Sequence, residues 1–371
     1  MNKVKSVVAM ALVVLLSLTF GVWSQLSGGW AAQDASPVAG EVAAPEFQVV
    51  PDWPKPLPDG WITGEVAGSC LDSQDHLFIL NRSNLTETEL RVGVPAPSVI
   101  EFDPEGNVVN AWTAPIMPNG LHGCFIDHED NLWIGGNGDA IVQKYSHDGS
   151  QLLLQIGTRG LFDTSNGAED GESLNASETL LNRPADIAVD PENGDVYIAD
   201  GYGNERIAVF DRNGTFLRQW GEGATQEEAD RGDGGKFLDT VHAVNLGNDG
   251  NIYVNDRKGD RIQVFDKMGT FLRNIWISPG TGVGAGTGSA WDSAFSPDEA
   301  QTYLYNTDGE NQLLWFVDRE AGTVIGQMGR PGHMAGEFTY IHTADVDSQG
   351  NLYTAETIGG RRVQKFELVS D

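Results

Sequence analysis

Three histidines, His122, His242 and His342, stand at the same register position in alternate copies of a six-fold internal repeat, each just before an innermost-strand pattern. Such spacing aims three imidazoles at one point. Three neutral imidazoles on alternate repeats, related by roughly a third of a turn, leave room for a fourth ligand, as in a catalytic rather than a closed structural metal site. Zinc is the first choice, although imidazole-only ligation also suits copper, iron or nickel. A single histidine at a strand start would cap the strand or pack in the channel. Three of the seven histidines in one register, with Ala67, Ala185 and Trp291 at the other three positions, point to a metal instead.

Second strands return to the same mouth, and at their ends stand Arg82 in ILNR, Arg257 in VNDR and Tyr202 in IADGY. Arg82 and Arg257 occupy one register position, five residues past Leu77 and Ile252. Salt bridges to acidic neighbours are the ordinary role for such arginines. Beside a metal they form a clamp for a substrate carboxylate, because the guanidinium fork matches it bidentately. Tyr202, otherwise a rim aromatic, becomes a candidate general base next to a divalent ion. The remaining histidines read as solvated: His76, His128 and His147 in turns, and His333 in a Gly-rich connection.

The elements that must position these groups are strands. LHGCFIDHEDNLWIGG from Leu121, ADIAVDPENGDVYIAD from Ala185, VHAVNLGNDGNIYVND from Val241 and IHTADVDSQGNLYTAE from Ile341 each pair an alternating strand with a second across an Asp/Gly turn. Weaker copies begin at Ala67 and Trp291, and third and fourth strands follow, as in RIAVFDRNGTFLRQWG from Arg206. Four-stranded antiparallel cassettes of this kind predict an all-β fold, a six-bladed β-propeller over residues 47–371. The last copy runs out after its third strand near Val363, and FQVVPDW from Phe47 is expected to supply the fourth. That closure removes exposed sheet edges.

Residues 1–32, with Lys3 and Lys5 before an apolar run from Val7 to about Trp23, read as a secretory signal or an uncleaved N-terminal anchor. Residues 33–46 read as a flexible lead-in, and the localisation expected is secreted or periplasmic. A formal net charge of -30 with only 23 basic residues argues against nucleic-acid and anionic-membrane partners; the partner expected is a small-molecule or peptide substrate with a carboxylate, and the chain is expected to be a monomer. Cys70 and Cys124 fall at neighbouring register positions of adjacent repeats, where they either bridge or serve as small core residues.

DVYIADGYGNERIAVF, from Asp195 to Phe210, followed by FLRQWGEG from Phe216, resembles the catalytic-tyrosine block of the peptidyl-α-hydroxyglycine α-amidating lyases, which are six-bladed NHL-repeat propellers. The similarity spans roughly residues 66 to 369. It implies a catalytic tyrosine at Tyr202, zinc ligands at His122 in GLHGCFID, His242 in VHAVNL and His342 in IHTADVD, and active-site arginines at Arg82 and Arg257. It further implies a reaction, cleavage of a carbinolamide to a peptide amide and glyoxylate. Zinc would hold the substrate hydroxyl, the arginines its carboxylate, and Tyr202 would take the hydroxyl proton.

The chain departs from that pattern in two places. Gly203 stands where the family has a cysteine after the tyrosine, so that disulfide is absent. Thr343 replaces the aspartate that helps hold the family's structural calcium, which leaves Asp345 and backbone carbonyls as the donors for Ca2+. Two other readings stay open. One is a different metal-dependent hydrolase or lactonase, with Asp186, Asp256 or Asp345 activating water; the other is a non-catalytic NHL propeller that binds protein or glycan. The stretch PGTGVGAGTGSA from Pro279 and the acidic insert from Phe162 are long loops able to cover the mouth.

Overall fold

The computed structural model describes residues 42–370; the signal or anchor at residues 1–32 and most of the lead-in lie outside the described residues. Six four-stranded antiparallel sheets form the fold. Blade 1 comprises Val66–Leu71, Leu77–Asn81, Val99–Phe102 and Val108–Trp112, and blade 2 comprises Leu121–Ile126, Leu132–Gly136, Ile141–Tyr145 and Leu152–Ile156. Blade 3 runs through Asp186–Val189, Val196–Asp200, Arg206–Phe210 and Phe216–Trp220, and blade 4 through Val241–Leu246, Ile252–Asp256, Arg261–Phe265 and Phe271–Trp276. Blade 5 holds Asp292–Phe295, Tyr303–Asp308, Leu313–Asp318 and Thr323–Met328.

Blade 6 closes the ring. Its strands Ile341–Val346, Leu352–Glu356 and Arg362–Ser370 are completed by Glu46–Val49 from the other end of the chain, paired Phe47 with Leu368 and Val49 with Phe366. Phe47 lies edge-on to Tyr305, their centroids 5.7 Å apart, so the closing strand also packs against blade 5. The last strand edge of the ring is thereby covered.

The residue pattern explains the layering. Second and third strands are buried along their length, as in VYIAD and RIAVF of blade 3, because neighbouring blades cover both faces. Fourth strands such as Phe216–Trp220 alternate toward solvent at the rim. At the first hairpin the turn aspartate ties the bend: Asp127 Oδ1 accepts the Glu129 and Asn131 amides, both at 3.0 Å. The one regular α-helix among the described residues, Gln226–Arg231, lies between blades 3 and 4 and starts at a Thr225/Glu228 capping box.

A disulfide and a hydrogen bond are among the links from blade 1 to blade 2. Cys70 and Cys124 form a disulfide with their Cα atoms 5.5 Å apart, and Ser73 donates from its hydroxyl to Asp130 at 2.7 Å. The first of these resolves the two readings of the cysteines in favour of the bridge.

Candidate metal centre and its surroundings

His122, His242 and His342 begin the first strands of blades 2, 4 and 6 and converge on the axis. Their ring centroids are 4.7 to 5.0 Å apart, all three are buried, and one ring nitrogen of each lies within 4.8 Å of the others. The odd blades orient them. His122 Nδ1 donates to the Ala185 carbonyl at 2.8 Å, and His242 Nδ1 to that of Trp291 at 2.6 Å. The Ala67 carbonyl is the counterpart for His342, whose buried Nδ1 makes no full hydrogen bond. Two of the three register positions without histidine, Ala185 and Trp291, thus supply orienting carbonyls. Gly123 permits this approach, since a Cβ there would lie 2.5 Å from the Ala185 oxygen.

A carbonyl only accepts, so Nδ1 carries the proton in His122 and His242, and Nε2 presents a lone pair. Both lone pairs meet one hydroxyl: Tyr202 Oη is 3.0 Å from His122 Nε2 and 3.1 Å from His242 Nε2. One hydroxyl proton serves only one of them. Electron pairs therefore exceed protons at this point, which is the donor set that a cation satisfies. Burial pushes all three imidazole pKa values down, with Arg82, Arg257 and neighbouring histidines adding to the effect, and His342 falls to about 3. Neutral imidazoles are the form that ligates a metal, so the residues present fit a zinc-class ion.

Arg257 Nη1 donates to Tyr202 Oη at 3.1 Å and its guanidinium stacks on Trp291, 5.0 Å from the ring centroid. Its Nε is buried without a partner, and no carboxylate of the described residues lies within ion-pair distance of it. Arg82 behaves otherwise: Nη1 pairs with Glu65 at 2.6 Å and Nε donates to the Leu121 carbonyl, beside His122, at 3.0 Å. His122, His242, His342, Arg82, Arg257 and Tyr202 all lie at first-strand starts or just past second-strand ends, which share one mouth of the ring.

Arg183 belongs to the same mouth and was not distinguished in the sequence. Its guanidinium lies 5.7 Å from the Tyr202 ring, and its backbone takes a left-handed φ of 64°. Two bases of inference were available there: the register, two residues before Ala185, and a second basic residue next to Tyr202 in space. Only the first can be read without a fold.

Both long loops sit at this end. The amides of Gly280, Gly282 and Ser289 each donate to the Asp260 carboxylate at 2.9 Å, and a Cβ on Gly288 would lie 1.9 Å from the Arg257 carbonyl. The acidic insert is anchored on blade 3, where Asp163 accepts the Ala176 amide at 2.8 Å and the Asn204 side chain at 3.2 Å.

The candidate water-activating carboxylates divide. Asp256 is held by Arg261 at 2.8 Å with neither side chain exposed, which makes it a structural partner and not a base. Asp186 and Asp345 line, with Asp292, a cavity of about 560 Å3 that opens at the opposite, turn-bearing end. Burial raises Asp186 to about 7 and Asp345 to about 6. Asp186 accepts the Val244 amide and Asp292 the Ala344 amide, both at 3.0 Å, so each braces the next blade.

The NHL repeat family matches residues 181–210, the segment that contains Arg183, Ala185 and Tyr202. The chain carries an NHL repeat. It is 27% identical to "NHL repeat-containing protein 3" of Homo sapiens, over 85% of this chain and 82% of that one. It is 23% identical to "Probable peptidyl-alpha-hydroxyglycine alpha-amidating lyase pgal-1" of Caenorhabditis elegans, over 79% of this chain and 80% of that one. Among solved structures, one described as "Streptogramin B lyase structure" superposes with a TM-score of 0.53 at 12% identity, covering 87% of this chain and 97% of that one, a likeness of fold alone.

Proposed function

We propose that the chain is a metal-dependent lyase that cleaves the C–N bond of an N-acyl- or peptidyl-α-hydroxyglycine to an amide and glyoxylate. The observation that carries this reading is the Tyr202 hydroxyl, held between two imidazole Nε2 atoms at 3.0 and 3.1 Å and the Arg257 guanidinium at 3.1 Å. When bound by His122, His242 and His342, a divalent ion supplies Lewis acidity toward the substrate's hydroxyl oxygen.

The protein's own groups do the rest. Arg257, with Arg82, binds the substrate carboxylate and fixes the hydroxyl-bearing carbon at the mouth. Reacting as its phenolate, Tyr202 accepts the hydroxyl proton at Oη, and Arg257 places positive charge beside that oxygen. The O–H electron pair becomes the new C=O bond of glyoxylate as the C–N bond breaks. The departing nitrogen takes that proton back from Tyr202 Oη, and the amide leaves neutral.

The relative from Caenorhabditis elegans, named as a lyase and aligned over most of both chains, supports the same reading. Secretion through residues 1–32 and action as a monomer on a carboxylate-bearing substrate belong to it. A second reading, a non-catalytic binding propeller, is favoured by the human relative, whose name records only its repeat. Glyoxylate and amide released together from an N-acyl-α-hydroxyglycine by the zinc-loaded chain support the lyase; zinc binding without glyoxylate leaves the binding propeller.

A further inference from the structure

At the turn end of the ring, away from the three channel histidines, the junction of blades 1 and 2 gathers a second set of metal-binding side chains. Asp72, Glu101 and His147 each offer a ligand atom within 4.8 Å of the others. Asp72 and Glu101 are buried, whereas His147 is one-third exposed and leaves the group open to solvent. His147 Nε2 lies 2.9 Å from Asp72 Oδ2, and a fourth group, His76, has its Nδ1 2.7 Å from Glu101 Oε1. These turn histidines, read from the sequence as solvated, are engaged with buried carboxylates.

Two other repeats show a different occupant at these positions. The buried turn aspartate is met by an ammonium: Asp127 of blade 2 by Lys144 at 2.8 Å, and Asp190 of blade 3 by Lys267 at 2.7 Å. Glu101 holds the register of Lys144, since Phe78 pairs with Glu101 as Trp133 pairs with Lys144 and Tyr353 with Lys365. His147 holds the register of Lys267, two residues past the third strand of its blade. His76 stands where the other repeats have Asn131, Asn251 and Asn351. At this junction a carboxylate stands where blades 2 and 6 have a lysine and an imidazole where blade 4 has one, and a second imidazole is added. The change removes fixed positive charge and substitutes ligands around a carboxylate with no exposed side-chain surface.

We propose that Asp72, Glu101 and His147 bind a second divalent transition-metal ion of the zinc class, with His76 orienting Glu101. One imidazole and two carboxylates suit zinc better than calcium, which takes oxygen ligands only. His76 plays the outer role that carboxylate–imidazole pairs have at such sites. The ion bridges blade 1, which supplies Asp72 and Glu101, to blade 2, which supplies His147. It reinforces the junction that the Cys70–Cys124 disulfide also spans, and it is independent of the channel site.

Zinc stoichiometry of the full chain tests this, by elemental analysis after chelator stripping, zinc loading and dialysis. Wild type is expected to hold two zinc ions per chain. Glu101→Lys restores the residue type of blades 2 and 6 and is expected to hold one, with the melting temperature of the metal-free wild type retained. His147→Lys is the second variant and is expected to do the same. His242→Ala is expected to keep one ion at the blade junction, with a melting temperature that still rises on zinc addition. Zinc absent from His242→Ala, or two ions retained by both Glu101→Lys and His147→Lys, would overturn the proposal and leave the cluster as histidine–carboxylate ion pairs.

Discussion

Tyr202 Oη and His242 Nε2 lie 3.1 Å apart, while the far side of the same imidazole is fixed by the Trp291 carbonyl at 2.6 Å. The phenol therefore meets a ring that has no freedom to turn. Blade 3 contributes the hydroxyl, blade 4 the ring and blade 5 the carbonyl, so the geometry is a property of the closed ring and not of any one repeat.

Arg257 ties that hydroxyl to the carboxylate-binding role. In Arg257→Lys the charge remains but the fork that reaches Tyr202 and Thr240 is lost. We expect kcat/KM on an N-acyl-α-hydroxyglycine to fall by roughly 10- to 100-fold, with both kcat and KM affected. A neutral amide analogue of the substrate should lose less, because for it only the contact with Tyr202 is at stake. Equal losses on both substrates would remove the carboxylate clamp from the account.

Protons compete with metal for imidazole, and burial holds all three channel histidines below their ordinary range. Depressed ligand pKa values weaken that competition. Channel zinc should then persist to below about pH 5, whereas ligands titrating at about 6.5 would begin to release it nearer neutrality. Elemental analysis of the Glu101→Lys chain after dialysis across this range measures it. Half-release near pH 6.5 would contradict the burial argument.

Asp345 gives a pH effect of opposite sign. Its folded pKa is raised from 3.8 to about 6, so the folded chain binds the proton more tightly than the unfolded one. Stability from this group is complete below the unfolded value and is lost as pH rises through the folded value. Asp345→Asn should thus be neutral near pH 4 and more stable than wild type above pH 6, in chelator-treated protein. A variant destabilised above pH 6 would mean that the carboxylate is paired there.

Ring closure by Phe47 predicts a stability effect remote from the site. Its ring touches Tyr305 and Phe316, each with centroids 5.7 Å away. Because the residue is only partly buried, Phe47→Ala should cost roughly 2 to 3 kcal/mol in denaturant unfolding, at or below the low end for truncating a buried aromatic. A cost below about 0.5 kcal/mol, the usual size of a surface change, would show that closure does not depend on this strand.

How far the sequence discloses this arrangement depends on periodicity. His122, His242 and His342 are legible because a repeat converts equal register into equal position on a ring. The same logic places Arg82, Arg257 and Tyr202 at one mouth and makes Phe47 the start of the missing strand. Register says nothing about neighbours across a junction, however. His76 and His147 look like ordinary turn histidines until the fold brings Glu101 and Asp72 beside them. Asp256 resembles a free acid until Arg261 is seen to hold it. Ala185 and Trp291 act through backbone carbonyls, which side-chain identity does not reveal.

Replacement of Tyr202 by Phe tests the central claim most directly, because it deletes one oxygen and leaves the imidazoles in place. Glyoxylate release should fall by roughly 100- to 10,000-fold, the range for losing a positioned acid–base group, while zinc content and melting temperature match wild type. Wild-type glyoxylate release from the Tyr202→Phe chain would contradict the account, since the hydroxyl at 3.0 and 3.1 Å from two imidazoles would then have no part in the chemistry.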